Sequence, residues 1–209
     1  MTTIPSVILA FDTSSSACTA ALFDGDGRCL GSRDEVIGRG HAERLVPMIA
    51  GLLDGRTASR ILVGVGPGSF TGIRVAIAAA HGLAIGWDAD LSGMSSLALL
   101  AVGTGCQGEV VAAVSGGHGE LFVQQFDAAT GEPTSELRNL APVEAARFAT
   151  ASMVVGSGAS QLVSARGWGE AHEGWPRASD AMKLPENRRS LPAKPLYARA
   201  PDARAREAA

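Results

Sequence analysis

The sequence predicts an α/β protein built on a mixed β-sheet, and three observations carry that prediction. From Val7 to Ile85 the apolar patterns run strand, strand, strand, helix, strand, helix. Asp24-Gly25-Asp26-Gly27 is a hairpin turn, because Asp-Gly tolerates the left-handed conformations that such turns require. Ile61 to Arg74 passes from an apolar run through a glycine-punctuated loop directly into an alanine-rich helix.

Each element has a local reason. Val7 to Phe11 is a short apolar run suited to a buried strand, and the polar cluster Asp12 to Ser16 is a turn. Thr19 to Phe23 resumes the strand pattern, and a third strand runs from Arg28 to about Val36, so the chain opens as a meander. In His41 to Leu53 the residues Leu45, Met48, Ile49, Leu52 and Leu53 recur at helical spacing, with Pro47 expected near the tolerant first turn. Ile61 to Val65 is a strand and Phe70 to Ile85 a second helix, whose Ala76, Ala78, Ala79 and Ala80 permit close packing. Leu91 to Gly93 adds a strand and Ser95 to Val102 a helix. The glycine-rich break at Gly103 to Gly108 is the expected lobe boundary.

Strands then begin again. Glu109 to Val114 pairs with Leu121 to Phe126, Thr130 to Pro133 is a turn, Pro142 to Thr150 a short helix, and Met153 to Gly156 a buried strand. From Gly167 onward the chain is rich in Gly, Pro and Arg. No sequence repeat is visible, although both halves open with strands.

The loop Gly66-Pro67-Gly68-Ser69 precedes a helix N-terminus, where outward N–H groups suit an anion. Gly66 and Gly68 can take positive φ, and Ser69 or Thr71 can cap the helix. A plain strand-to-helix connection fits equally well. The phosphate fingerprints fail: Ser69 and Phe70 stand where a P-loop needs Lys and Ser/Thr, and Thr71 stands where a dinucleotide motif needs its third glycine.

The 209 residues suffice for one domain or two small lobes, and 46% apolar with 19% charged content is globular. A net charge of -3 argues against a basic nucleic-acid surface over the whole protein. Cys18, Cys29 and Cys106 are too few and scattered for a disulfide framework or zinc site, so reduced thiols in a cytoplasmic setting are expected. No signal peptide is expected, and no membrane span, since His81 and Gly82 interrupt Val75 to Ile85. His41, His81, His118 and His172 show no metal-ligand spacing, and His41 is expected as a polar residue at its helix start.

Two segments resemble one family. Ile8-Leu9-Ala10-Phe11-Asp12-Thr13-Ser14 with Cys18 to Leu22, and Gly66-Pro67-Gly68-Ser69-Phe70-Thr71-Gly72-Ile73-Arg74, are similar to the TsaB (YeaZ) family, with His41 to Pro47 fitting between them. The resemblance is good from about Ile8 to Leu100. It is thinner afterward, at Gly119 to Phe122 and Pro195 to Arg199. It implies an actin-like ATPase (ASKHA) fold of two small lobes, each with a mixed sheet and flanking helices. Residues 1–104 would form the N-terminal lobe and 105–189 a smaller lobe, with about 190–209 packing back on the first.

The resemblance further implies a catalytically inactive relative of TsaD, the enzyme that completes threonylcarbamoyl transfer to N6 of adenosine 37 in ANN-reading tRNAs. This chain would be TsaD's dimerisation partner, joined by the ATPase TsaE and meeting tRNA indirectly. Whether it also pairs with itself is left open. TsaD's metal-binding histidines align near Met94 and Ala98, neither a suitable ligand. Many relatives carry Asp-Ala-Arg before Gly119-Glu120, where this chain has Ser115-Gly116-Gly117-His118.

No catalytic or metal residue and no cofactor is therefore expected, any ATP belonging to the complex. Asp12, Thr13, Gly66, Gly68 and Ser69 are vestigial nucleotide-site candidates, against a plain turn closed by Asp12. Ser14, Ser15 and Ser16 lack a nucleophile elbow, and Cys18 is a small buried hydrophobe. Leu45, Met48, Ile49 and Leu52 with Ala76, Ala79 and Leu83 are core or, following the resemblance, partner interface; on the second reading Met48→Asp breaks association and leaves the monomer folded. Arg188, Arg189, Lys194, Arg199, Arg204 and Arg206 form a solvated tail or touch tRNA phosphate. The competing functions are a nucleotide-dependent small-molecule kinase on the same fold and a metallopeptidase.

Overall fold

The computed structural model describes residues 7–196. Tyr197, Ala198, Arg199, Arg204 and Arg206, named above for the resemblance and the tail, lie outside the described residues. The chain forms β1 (Val7–Asp12), β2 (Ala17–Asp24), β3 (Cys29–Val36), α1 (His41–Leu53), β4 (Arg60–Gly64), α2 (Phe70–Trp87), β5 (Asp90–Met94) and α3 (Ser96–Gly103). It continues with β6 (Glu109–Ser115), β7 (Leu121–Asp127), β8 (Arg138–Leu140), α4 (Pro142–Phe148), β9 (Met153–Val155), α5 (Ala159–Arg166), β10 (Glu170–His172), a 3-10 helix (Ala178–Lys183) and α6 (Glu186–Arg189).

Two five-stranded sheets result, ordered β3-β2-β1-β4-β5 and β8-β7-β6-β9-β10. In each, the first three strands are an antiparallel meander and the last two run parallel to the central strand. The second sheet is thus a topological copy of the first: α4 stands where α1 does, α5 where α2 does. This duplication is the actin-like architecture that the resemblance implies.

The layers alternate helix, sheet, helix, sheet, helix. Between the sheets lies one core containing Ile8, Ala10, Phe23 and Leu62 from the first, Val110, Ala112 and Val114 from the second, and all of Leu97 to Val102. Outside the first sheet, Leu9, Phe11 and Val63 pack under α1 and α2; outside the second, Val111, Ala113 and Val123 pack under α4 and α5. β1 and β6 are buried on both faces, which is why they read as unbroken apolar runs rather than alternating ones.

Several expectations need correction. Pro47 is the seventh residue of α1, not in its first turn, so the helix lacks the hydrogen bond that Pro47 would have given to the Glu43 carbonyl. Ser95 is the N-cap of α3, accepting from Ala98 N at 3.2 Å. The sequence reading missed β8, α5, β10, the 3-10 helix and α6. These pieces of three to eight residues carry too few apolar positions for a period to show.

Beyond the second sheet the chain returns to the first. Thr19 Oγ1 donates to Pro176 O at 3.1 Å and accepts from Ala178 N at 3.2 Å. Leu191 pairs with Gly93 on edge strand β5, and Leu196 N donates to Val65 O at 2.9 Å. At α6, Glu186 accepts from Ser190, Arg60 and Arg189, which hold its carboxyl down to about 2. A lowered acid stabilises the fold above its ordinary value and loses that contribution as pH falls through the folded one. Glu186 is 58% exposed, so we expect less than about 1 kcal/mol from it. Glu186→Gln should flatten this part of the acid-side decline in melting temperature, followed from about pH 5 to pH 2.

Candidate functional site

The five vestigial candidates, Asp12, Thr13, Gly66, Gly68 and Ser69, do meet, at the carboxyl ends of β1 and β4. Asp12 is 1% exposed. Its Oδ1 accepts from Ser14 N and Ser14 Oγ, both at 2.7 Å, and its Oδ2 accepts from Ser96 Oγ at 2.6 Å. Gly66 N donates to Ser96 Oγ at 3.1 Å, so the hydroxyl ties α3, the loop and the carboxylate together. Burial pushes the Asp12 carboxyl up, while the bonds from Ser96 and Ser14, and nearby His41, pull it back down.

The α2 N-terminus is already occupied by this chain. Ser69 is its N-cap, accepting from Gly72 N at 3.2 Å, and Ser69 N donates to Ser14 O at 2.7 Å. Thr13 Oγ1 donates to Gly72 O at 2.7 Å. A Cβ on Gly64 would overlap the Asp12 carboxylate, on Gly68 the Ser14 carbonyl, and on Gly72 the Thr13 carbonyl. Glycine is therefore required here by backbone contact between the β1–β2 turn and the loop before α2. The arrangement locks a joint; its polar atoms point at one another rather than at solvent.

Nor do the other candidates assemble chemistry. Met94 and Ala98, aligned with a metal pair, are fully buried in the apolar layer between the sheets. Among the described residues no three of His, Cys, Asp and Glu are placed to hold a metal ion. His41 is the first residue of α1, as expected, and is 9% exposed; its Nε2 has no partner among the described residues. Cys18 is buried, and burial pushes its thiol up to about 11, as suits a small hydrophobe. At the departure from the family pattern, Gly117-His118-Gly119 makes a 3-10 turn, and Glu120 Oε2 accepts from Asn139 Nδ2 at 2.6 Å.

The expected interface residues divide. Leu45, Met48, Ile49 and Ala76 are buried in the core beneath α1 and α2, and Leu52, Ala79 and Leu83 are half-buried at its margin. The stripe at helical spacing is the inward face, and the first four cannot be partner contacts. The outward face is a different set. On α1 it holds Val46, 50% exposed, with Pro47, Ala50 and Gly51; on α2 it holds Ala78, Gly82, Ile85 and Gly86, Ile85 being 84% exposed, with Glu43, Arg44, Arg74 and His81 also exposed towards the helix starts and flank.

This outward face is unusual for water-facing helices. A Cβ on Gly51, Gly82 or Gly86 would meet nothing within 4 Å, so the monomer's own packing does not ask for glycine there. Each costs its helix about 0.5–1 kcal/mol relative to alanine. α2 is also apolar enough, at mean hydropathy 1.3 over 18 residues, to cross a membrane by length and composition, which corrects the expectation of no such stretch. It is instead fixed to the sheet, connecting parallel β4 and β5 and burying Ile73, Ala76, Ile77 and Ala80. The duplicate pair is more polar: apart from Val143 and Ala165, α4 and α5 face outward with Glu144, Arg147, Ser160, Gln161 and Ser164. The sequence signal missed was α2's apolarity on both faces, since one stripe at helical spacing does not account for the second.

The two helices α1 and α2 also end alike. α1 stops at Asp54 (φ 48°) and α2 at Asp88 (φ 52°), left-handed positions where glycine is usual. For a non-glycine residue this conformation costs about 1 kcal/mol, and a carboxylate beside the negative helix end adds about 0.3–1 kcal/mol. Both side chains are exposed.

A family model described as "TsaD: tRNA N6-adenosine threonylcarbamoyltransferase" matches residues 31–151, more than half of the chain. The "tRNA threonylcarbamoyladenosine biosynthesis protein TsaB" of Escherichia coli (strain K12) is 35% identical over 127 residues, 57% of this chain and 54% of that protein. The chain thus spans about half the length of the curated relatives it matches. Two solved structures from Pseudomonas aeruginosa align over nearly everything. One, an uncharacterized protein with similarity to peptidase YEAZ, is 31% identical with TM-score 0.78, covering 93% of this chain and 100% of that one. The other, YeaZ, is 32% identical with TM-score 0.76, covering 92% and 99%. With its duplicated sheets, its locked β1–β2 turn and these near-complete alignments, the chain belongs to the TsaB (YeaZ) family.

Proposed function

We propose that this chain is a non-catalytic dimerisation subunit in the synthesis of N6-threonylcarbamoyladenosine at position 37 of ANN-reading tRNAs. Its partner is the catalytic subunit TsaD, and the ATPase TsaE joins the pair. It works in the cytoplasm, binds no cofactor of its own, and meets tRNA through the complex. The outer face of α1 and α2 carries this reading: Val46, Ala50, Ala78, Gly82 and Ile85 are apolar or small and exposed, where the duplicate pair α4 and α5 exposes only Val143 and Ala165 of that kind. Small residues let a second helix approach closely, and apolar area removed from water drives the association. The inward-pointing Asp12 joint supports a role in shape rather than reactivity.

Ile85 sits on this face at 84% exposure, so a charge there leaves the monomer intact. Ile85→Glu should keep the wild-type melting temperature to within a degree or two while weakening TsaD binding by more than about 100-fold, because it strands a carboxylate in an apolar contact. Co-elution with TsaD on a sizing column, with tRNA modification assayed in parallel, reads the result. Undiminished co-elution and modification would remove the reading.

A further inference from the structure

A cavity of about 280 Å³ lies in the layer between the sheets, on the opposite face of the first sheet from α1 and α2. Its apolar lining is Leu99 and Leu100 from α3 with Met153 and Val155 from β9. Its polar lining comes from the stretch that leaves β10 and crosses to the first sheet. Trp175 stands in that stretch. An indole nitrogen can only donate, and Trp175 Nε1 is buried with no acceptor among the described residues. A buried donor left without an acceptor is unfavourable to the free chain. The stretch is anchored on both sides of the next peptide, where Thr19 Oγ1 donates to Pro176 O at 3.1 Å and accepts from Ala178 N at 3.2 Å. The orphan donor therefore belongs to a fixed element rather than to a loose loop.

The rest of the polar lining mostly accepts. Asp180 is 7% exposed; Lys183 Nζ meets its Oδ1 at 2.7 Å, and its Oδ2 lies against Gly103, where α3 ends. The last carbonyls of a helix have no intrahelical donor, so acceptors gather at that end. The chain's own cations are already engaged. Lys183 answers Asp180, and Arg177, 5.8 Å over the Trp175 ring, lies 3.9 Å from Asp34. What the cavity leaves unmet is hydrogen-bonding capacity on an apolar lining, a donor at Trp175 and acceptors beside Gly103. Exposed Glu173 adds negative charge to the lining.

We propose that this cavity binds a small, neutral, flat ring compound that brings a hydrogen-bond acceptor to Trp175 and an amide or amino N–H to Asp180 and the end of α3. The volume lies just under the range of pockets that hold drug-sized ligands, which suits a single ring or a fused pair. An anionic ring of the same shape is rejected, because it sets a like charge against Asp180 and Glu173. The site shares no residue with the outer face of α1 and α2, so it stands independently of the reading of that face. Its lining joins β9 of the second sheet to the stretch that packs on β2 of the first, so an occupant touches the junction of the two.

Nicotinamide and nicotinate make a matched pair of probes, one ring carrying either a neutral amide or a carboxylate. The full chain has three tryptophans, so three indole N–H signals appear in proton–nitrogen correlation spectra. Nicotinamide should move the Trp175 signal, with a dissociation constant on the order of a millimolar for so small a ligand. Nicotinate at the same concentrations should leave it in place. Trp175→Phe identifies the signal, keeps an aromatic wall and deletes the donor. Followed by the backbone amides of Gly103 and Gly174, that variant should bind nicotinamide about ten-fold more weakly. Its melting temperature without ligand should rise by about 2–4 °C, since no orphan donor remains. The proposal is overturned by any of three results: no tryptophan signal moves with nicotinamide up to about 10 mM, nicotinate binds equally well, or Trp175→Phe binds nicotinamide as tightly as wild type.

Discussion

Met48→Asp should unfold the protein rather than merely separate it from a partner. Met48 lies on the inward stripe of α1, 4% exposed, with Sδ 3.9 Å from Cys18 Sγ and with Leu45, Ile49 and Phe11 in the same core. Truncating such a side chain costs about 2–5 kcal/mol, and an unpaired buried carboxylate adds more. A domain stable by about 5–15 kcal/mol does not absorb that comfortably. We expect a molten or aggregated product at 37 °C, with loss of the sharp thermal transition followed by circular dichroism. Ile85→Glu, on the opposite face of the same helical layer, is the matched control. A cooperatively folded Met48→Asp protein that had lost only its partner would restore the inward stripe as an interface and refute the burial assigned to it.

Gly72→Ala should destabilise strongly although alanine is the better helix former. Within α2 the exchange gains about 0.8–1 kcal/mol in propensity. At this position the new methyl group overlaps the Thr13 carbonyl oxygen, which is backbone and cannot step aside. Thr13 is held by its own hydroxyl on Gly72 O, and Ser14 by the Asp12 carboxylate and Ser69 N. Relieving the overlap means parting the β1–β2 turn from α2, so a net loss of about 2–4 kcal/mol is expected. Gly82→Ala, in the same helix with nothing within 4 Å of the new atom, should instead stabilise by about 0.5–1 kcal/mol. Urea midpoints of the two variants measure the contrast directly. Equal midpoints would mean that the turn and the loop are not locked together.

How much of this was legible beforehand follows from the range of each signal. The meander, α1, α2 and their strands show in the sequence because they are long enough for a period of two or 3.6 to repeat, and because Asp24 to Gly27 and Gly66 to Ser69 are chemically marked turns. The pieces that went unread, β8, α5, β10 and α6, are short, and the two strands among them take their places from pairing within the second sheet, as β10 does with β9. The duplication is invisible in the residues, since packing fixes only apolarity at each position and not identity.

The candidate site divides in the same way. Glycines 66 and 68, Ser69, Asp12 and Thr13 stand out by type and spacing. That they close on one another depends on β1 and β4 lying side by side, a contact between residues more than 50 apart. A helical stripe also gives no sign of which side is the core. For α2 both faces are apolar, and only the position of the sheet shows that Ile73, Ala76 and Ala80 are spent on the monomer while Ala78, Gly82 and Ile85 are left over. By itself the sequence determined the local elements, the marked turns and the family to which they belong, because those are written in neighbouring residues. The tertiary structure decided which groups are buried, which are locked and which are left exposed, because burial is a property of what packs across the chain.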